Sequence, residues 1–300
     1  MKSNRLAAVA AALALAGLVA GCGDNGTEPS PEGMSDQNQI ANLIIAAPSL
    51  IDDGLVQTEA QTALAPGSPG RTASAPIEPQ TFWRDIRSAY RAFEFAFADT
   101  DTTGLPTSAI ATVHWHLAGV FNIVTQSTPR PVQKPLVDHW QRRVLLRRIP
   151  MEGGDPTRPI WRIAAVSGVD VASTQATTHI VSLHVQCASL DTVITDPLAF
   201  FYLRRVLRFA ADEPVTLTLT TERSDDVALL YHHLSRQRMT NNGDNTYTGI
   251  LPAGTVEGWR HFGVNALSHG TLYDDEAPYD SHAWIFPYVV APTPSVDYLP

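Results

Sequence analysis

His114 and His116 stand two residues apart, a spacing that could do metal chemistry. Around them Ala109, Ala111, Val113, Trp115 and Leu117 alternate with Ile110, Thr112, His114 and His116, the period of a strand. Residues two apart in a strand share a face, so both imidazoles can turn toward one ion. Zinc asks for three or four ligands, and no third stands at a recognisable spacing, so the pair is a weak metal candidate. His232 and His233 are adjacent and point to opposite faces of a strand, which suits a structural role. Asp274, Asp275, Glu276 and Asp280 crowd one loop, and carboxylate oxygens are what calcium prefers. Their spacing is not that of an EF-hand, and a solvated acidic loop is the ordinary explanation. Asn241 to Asn245 is also rich in oxygen ligands, but Asn-Gly is first of all a hairpin turn. With no ligand set complete, neither a metal nor a cofactor is expected.

Nucleophile signatures are missing too. The chain has no Gly-x-Ser-x-Gly, no phosphate-cradling glycine loop and no His-Glu-x-x-His. No catalytic residue is therefore named, and the chain is expected not to be an enzyme. Its formal net charge of −9 argues against nucleic acid and against electrostatic docking on anionic lipid.

The first residues set the location. Lys2 and Arg5 precede an apolar run of Ala, Leu, Val and Gly, too short to span a bilayer, which ends Leu18-Val19-Ala20-Gly21-Cys22. This ending resembles the lipobox of bacterial lipoproteins, and the resemblance implies that Cys22 is lipidated and becomes the first mature residue. Losing Lys2 and Arg5 with the leader (1–21) takes the net charge from −9 to −11. Attachment then comes from lipid, and Gly23 rather than Asp after the Cys leans toward the outer membrane. The expected site is the bacterial cell envelope. The other cysteine, Cys187, lacks a partner and falls on the apolar face of a predicted strand, as a small buried hydrophobe. An intermolecular disulfide or a reactive thiol is its sharper alternative.

Residues 22–34 are Gly, Pro, Ser, Asn and acid, a flexible tether. Ser35 can cap a helix carrying Ile40, Leu43, Ile44 and Ala47, which Pro48 would end. Residues 59–80 suit a long loop. Phe93, Phe95 and Phe97 alternate as a strand; Asp101, Gly104 and Pro106 mark a hairpin loop; Gly119 permits a bulge. Residues 136–149 suit a bent strand, and Trp161, Ile163 and Ala165 a further one. One helix on long antiparallel strands makes an α+β layer. Residues 35–172 resemble in outline the cone-shaped nuclear-transport-factor-like fold, with Pro159-Ile160-Trp161-Arg162-Ile163 similar to its last strand. The Asp–His pairs of that superfamily's enzymes have no counterpart here.

A second unit is expected over 177–291, with short strands at 180–187, 215–221, 227–234, 247–251, 259–266 and 284–290. Asn242-Gly243-Asp244-Asn245-Thr246-Tyr247-Thr248 and the later Gly258 resemble the turn-then-Tyr phrase of immunoglobulin-like and filamin-like domains, implying a β-sandwich. Pro287 demotes the last strand to a sheet edge, and 292–300 is a tail. A boundary is expected within 172–178, with 198–209 able to pack across it. The whole reads as a lipid-anchored envelope protein with a non-catalytic interaction or assembly role and a protein partner in the envelope. The rivals are a small-molecule carrier using a pocket in the N-terminal cone, and an unrecognised hydrolase.

Overall fold

The computed structural model describes residues 35–51, 61–64, 77–102, 104–126, 130–149, 160–232 and 235–291. The leader, Cys22, the tether, His233 and the tail lie outside the described residues. Helix α1 (Asp36–Ile45) starts as its sequence predicts: Ser35 Oγ accepts from Asn38 N–H, and Ile40 and Ile44 turn inward. The helix does stop short of Pro48, at Ile45, but Pro48 is not the end of helical structure. It opens a second turn, α2 (Pro48–Ile51), where proline's missing N–H costs nothing.

After the two-residue β1 (Thr62–Ala63) come four long strands: β2 (Pro79–Thr100), β3 (Pro106–Thr125), β4 (Val132–Ile149) and β5 (Ile160–Ser173). They form an antiparallel meander. The bulge expected at Gly119 falls on the facing strand, between Ile86 and Ser88. It brings the Asp85 carbonyl over Gly119, where a Cβ would lie 2.0 Å from that oxygen. Only glycine fits there.

The remaining strands are β6 (Ile180–Gln186), β7 (Asp191–Ile194), β8 (Phe200–Tyr202), β9 (Leu207–Ala210), β10 (Pro214–Thr221), β11 (Val227–His232), β12 (Ser235–Arg238), β13 (Thr240–Asn241), β14 (Thr246–Pro252) and β15 (Gly258–Leu267). A short helix α3 (His269–Tyr273) and β16 (Ser281–Ala291) follow. Eleven strands make one sheet, ordered β1-β2-β3-β4-β5-β16-β15-β11-β12, with β8 on β5 and β9 on β16. Its ends, β1 and β12, come against each other, so the sheet is nearly closed and barrel-like. A five-stranded sheet, β13-β14-β10-β6-β7, packs on part of it.

This corrects the expected fold class. Among the described residues the chain is nearly all β, and no helix-on-sheet cone is present. The long strands curl on into β16, β15 and β11 rather than stopping as an open layer under a helix. Two packed sheets do occur in the second half, as a sandwich requires, with Leu183, Leu217, Tyr247, Phe262, Phe286 and Tyr288 buried between them. The immunoglobulin-like reading is corrected because one of these sheets continues into β2–β5. Of residues 172–178, the first two are still in β5 and the rest lie between β5 and β6, but His282 to Ile285 of β16 pair with β5. Residues 198–209 supply β8 and β9, one on β5 and one on β16.

Pro287 is not at an edge either. β16 lies in the middle of the large sheet, pairing with β15 along its length. Its other side pairs with β5 up to Ile285 and with β9 from Tyr288. Pro287 falls in the gap between those two ladders, where a missing N–H breaks neither.

Inside the large sheet, charged side chains do structural work. The buried Arg142 guanidinium donates to the carbonyls of Leu50 (3.2 Å) and Ile51 (2.6 Å), the C-terminal end of α2. His261 Nε2 donates to the same Leu50 carbonyl, and burial, with Arg142 beside it, lowers its pKa to about 3. Arg148 and Trp161 both reach Asp36 at the start of α1. The helical segment is thus pinned to the sheet at both ends.

Candidate functional site

His114 and His116 do share the outer face of β3, but the structure does not bring them together. His114 Nε2 lies 3.5 Å from Glu94 on β2. His116 sits opposite His139 of β4, with Nδ1 atoms 2.8 Å apart and rings nearly perpendicular at 87°. Tyr90 stacks on the other side of His116. His139 escaped sequence reasoning because it lies 23 positions away. Only the hairpin register, which runs unshifted from Ser108↔Arg147 to Ile123↔Val132, makes the two histidines neighbours. His232 bonds the Tyr288 hydroxyl at 3.2 Å, a structural contact.

The acidic loop is spent on backbone. Asp280 accepts the N–H groups of Thr177 and Thr178 on one oxygen and their hydroxyls on the other, tying the start of β6 to β16. Asp274 accepts from the N–H groups of Glu276 and Ala277, closing a turn, and Asp275 is exposed. Among the described residues, no group of three or more His, Cys, Asp or Glu could hold a metal.

The nearly closed sheet carries further buried polar residues. Arg84 pairs with Asp138 at 3.0 Å, and the Tyr279 hydroxyl donates to the same carboxylate oxygen. Burial raises the Asp138 pKa against the pull of Arg84, and it raises the Tyr279 hydroxyl as well. Lys134 donates to the carbonyls of Gly270 and Asp274 at the ends of α3; burial lowers it to about 8, with Asp274 and Asp275 opposing. Every one of these groups faces a structural partner.

An open site lies instead where the two sheets part. A cleft of about 690 Å³ runs between the β6–β7 turn and β9. Its lining is apolar at the base (Leu190, Val206, Leu207, Phe209), with Ser189, Arg205 and Arg208 at the rim. Alternation along β9 explains this: Leu207 and Phe209 turn to the core and Arg208 to solvent. Glu213 fastens one end. Its carboxylate accepts from Ala188 N–H (3.1 Å) on the small sheet and from Ala210 N–H (2.8 Å) on β9.

One strand edge, that of β9, borders the cleft, and a second follows the turn on its other side. β7 ends the small sheet and pairs only with β6, while β9 pairs only with β16 among the described residues. The Ala210 N–H and C=O both go to Glu213, so by alternation those of Arg208 also face away from β16. Cys187 is not on a strand, since β6 ends at Gln186. It sits half-buried in the turn beside the cleft, its sulfur 3.6 Å from Ser189 Oγ. No described helix is long and apolar enough to cross a membrane. No family model, curated protein or solved structure matches this chain.

Proposed function

We propose that this is a lipid-anchored cell-envelope protein, held by Cys22, that binds an extended segment of a partner protein without catalysis. The observation that supports this is the cleft bordered by β9 and the β6–β7 turn. An added strand finds backbone groups on the open side of β9 and apolar space for every second side chain, the two halves of strand-addition recognition. Arg205 and Arg208 at the rim favour acidic residues flanking that segment. A second reading, a carrier for a small amphiphile, draws on the same lining, whose volume suits a ligand pocket. In that case the arginines would meet an anionic head.

A photo-crosslinking residue in place of Ser189, in native membranes, distinguishes these readings. We expect a protein adduct at that position and none at the exposed Val181 on the outer face of the small sheet. Arg208→Pro should abolish the adduct, because it removes an edge N–H while leaving Leu207 and Phe209 in place. Equal adducts at both positions, or only a small-molecule adduct, would refute strand binding.

A further inference from the structure

The geometry points to a copper(II) site on the outer face of the large sheet, formed by His116 and His139 with water completing the plane. Four observations carry it. First, the two residues are directly opposite in the β3–β4 ladder, so backbone pairing sets the separation of the two imidazoles. Second, the Nδ1 atoms are 2.8 Å apart. The 2.8 Å is the length of the hydrogen bond that joins the two rings without metal, and it holds both nitrogens within a small rotation of one shared ion. Copper(II) heads the Irving–Williams order for nitrogen sites, so it is the divalent ion that a pair of imidazoles holds best.

Third, His139 is already oriented as a ligand. Thr174 Oγ1 donates its one hydrogen to the Val137 carbonyl (3.3 Å). It therefore accepts from His139 Nε2–H (3.3 Å), which leaves the lone pair of His139 on Nδ1. A ligating histidine whose other nitrogen is held in this way is the usual supporting arrangement of a metal site. Fourth, both rings are exposed, and Tyr90 backs His116, so an ion can reach them and small ring rotations meet no core packing.

Without metal, His116 Nδ1–H donates to His139 Nδ1. On binding, that proton passes through solvent to Nε2 of His116, and both Nδ1 lone pairs turn to the ion. Both ligands stay neutral imidazoles, and no net proton is released. His114 takes no part, because it faces Glu94 across the other ladder.

The test is copper(II) titration of the full chain in detergent, followed by electron paramagnetic resonance, in a Cys22→Ser, Cys187→Ser background so that no thiol reduces the metal. One equivalent with an axial spectrum and splitting from two nitrogens is expected. His116→Ala and His139→Ala should each abolish this signal, His114→Ala should leave it intact, and Thr174→Val should weaken binding about tenfold. Circular dichroism confirms that each surface variant is folded. Failure of the parent chain to bind, equal binding by His139→Ala, or loss of the signal in His114→Ala would overturn the assignment.

Discussion

Asp226→Asn should stabilise the protein at neutral pH and do nothing in acid. Asp226 is buried beside Thr178, whose hydroxyl lies 3.4 Å from one carboxylate oxygen, while the other oxygen is buried without a hydrogen-bond partner. Burial, reinforced by Asp225, raises its pKa from 3.8 to about 6 against the hydroxyls of Thr221 and Thr178 and the charge of Arg223. A raised carboxyl means that the folded chain holds a proton which the unfolded chain has lost. Stability therefore falls as pH climbs from about 4 to about 6, and the penalty is complete above that.

A shift of about two units corresponds to about 3 kcal/mol, and relaxation of the chain around the ionised group cuts it to about 1.5 kcal/mol. An amide keeps the shape and carries no charge, so it recovers that amount. In a chain of this size the melting temperature should rise by about 3–5 °C at pH 7.5 and be unchanged at pH 4. Thermal melts of both proteins across that range measure it. An equal difference at both pH values, or a less stable variant at pH 7.5, would refute the argument.

Three further outcomes are expected. Cys22→Ala should release the chain from membranes or block its processing, which fractionation of expressing cells will show. Gly119→Ala puts a methyl against the Asp85 carbonyl at a distance no rotation relieves; loss of cooperative folding in a denaturant melt is expected. Asp138→Asn removes the buried carboxylate that Arg84 and the Tyr279 hydroxyl share and should cost about 3–5 kcal/mol. Replacing the pair together, as Arg84→Met with Asp138→Leu, should restore most of that in the same melt.

Much of the strand content was readable from alternation alone, because one buried face imposes period two on β3, β10 and β14 alike. Ser35 as a helix cap and Thr100 to Pro106 as a hairpin were equally local signals, and both stand in the structure. What alternation does not encode is which strands become neighbours. The β5–β16 pairing joins residues more than a hundred positions apart, so the large sheet looked like two layers. β9 is four residues long and β8 three, too short for any period to register. Pro287 misled for the same reason: whether a strand tolerates proline depends on where its neighbours stop, which is a long-range fact. At the site level, His116 announced itself, whereas His139 needed the register and the cleft needed β9.

The central place of β16 has a consequence for the order of folding. It is the last strand of the described chain, yet it is the seam on which β5, β9 and β15 converge. During synthesis, every earlier strand is made before the one that joins them. β2 to β5 can pair as successive hairpins, but β5 and β15 must wait with open edges until residues 281–291 arrive. Closure over such sequence separations is slow, so the nascent chain stays open for most of its synthesis. A chain stopped before β16 keeps those edges exposed, which marks it for proteolysis rather than leaving a half-built product.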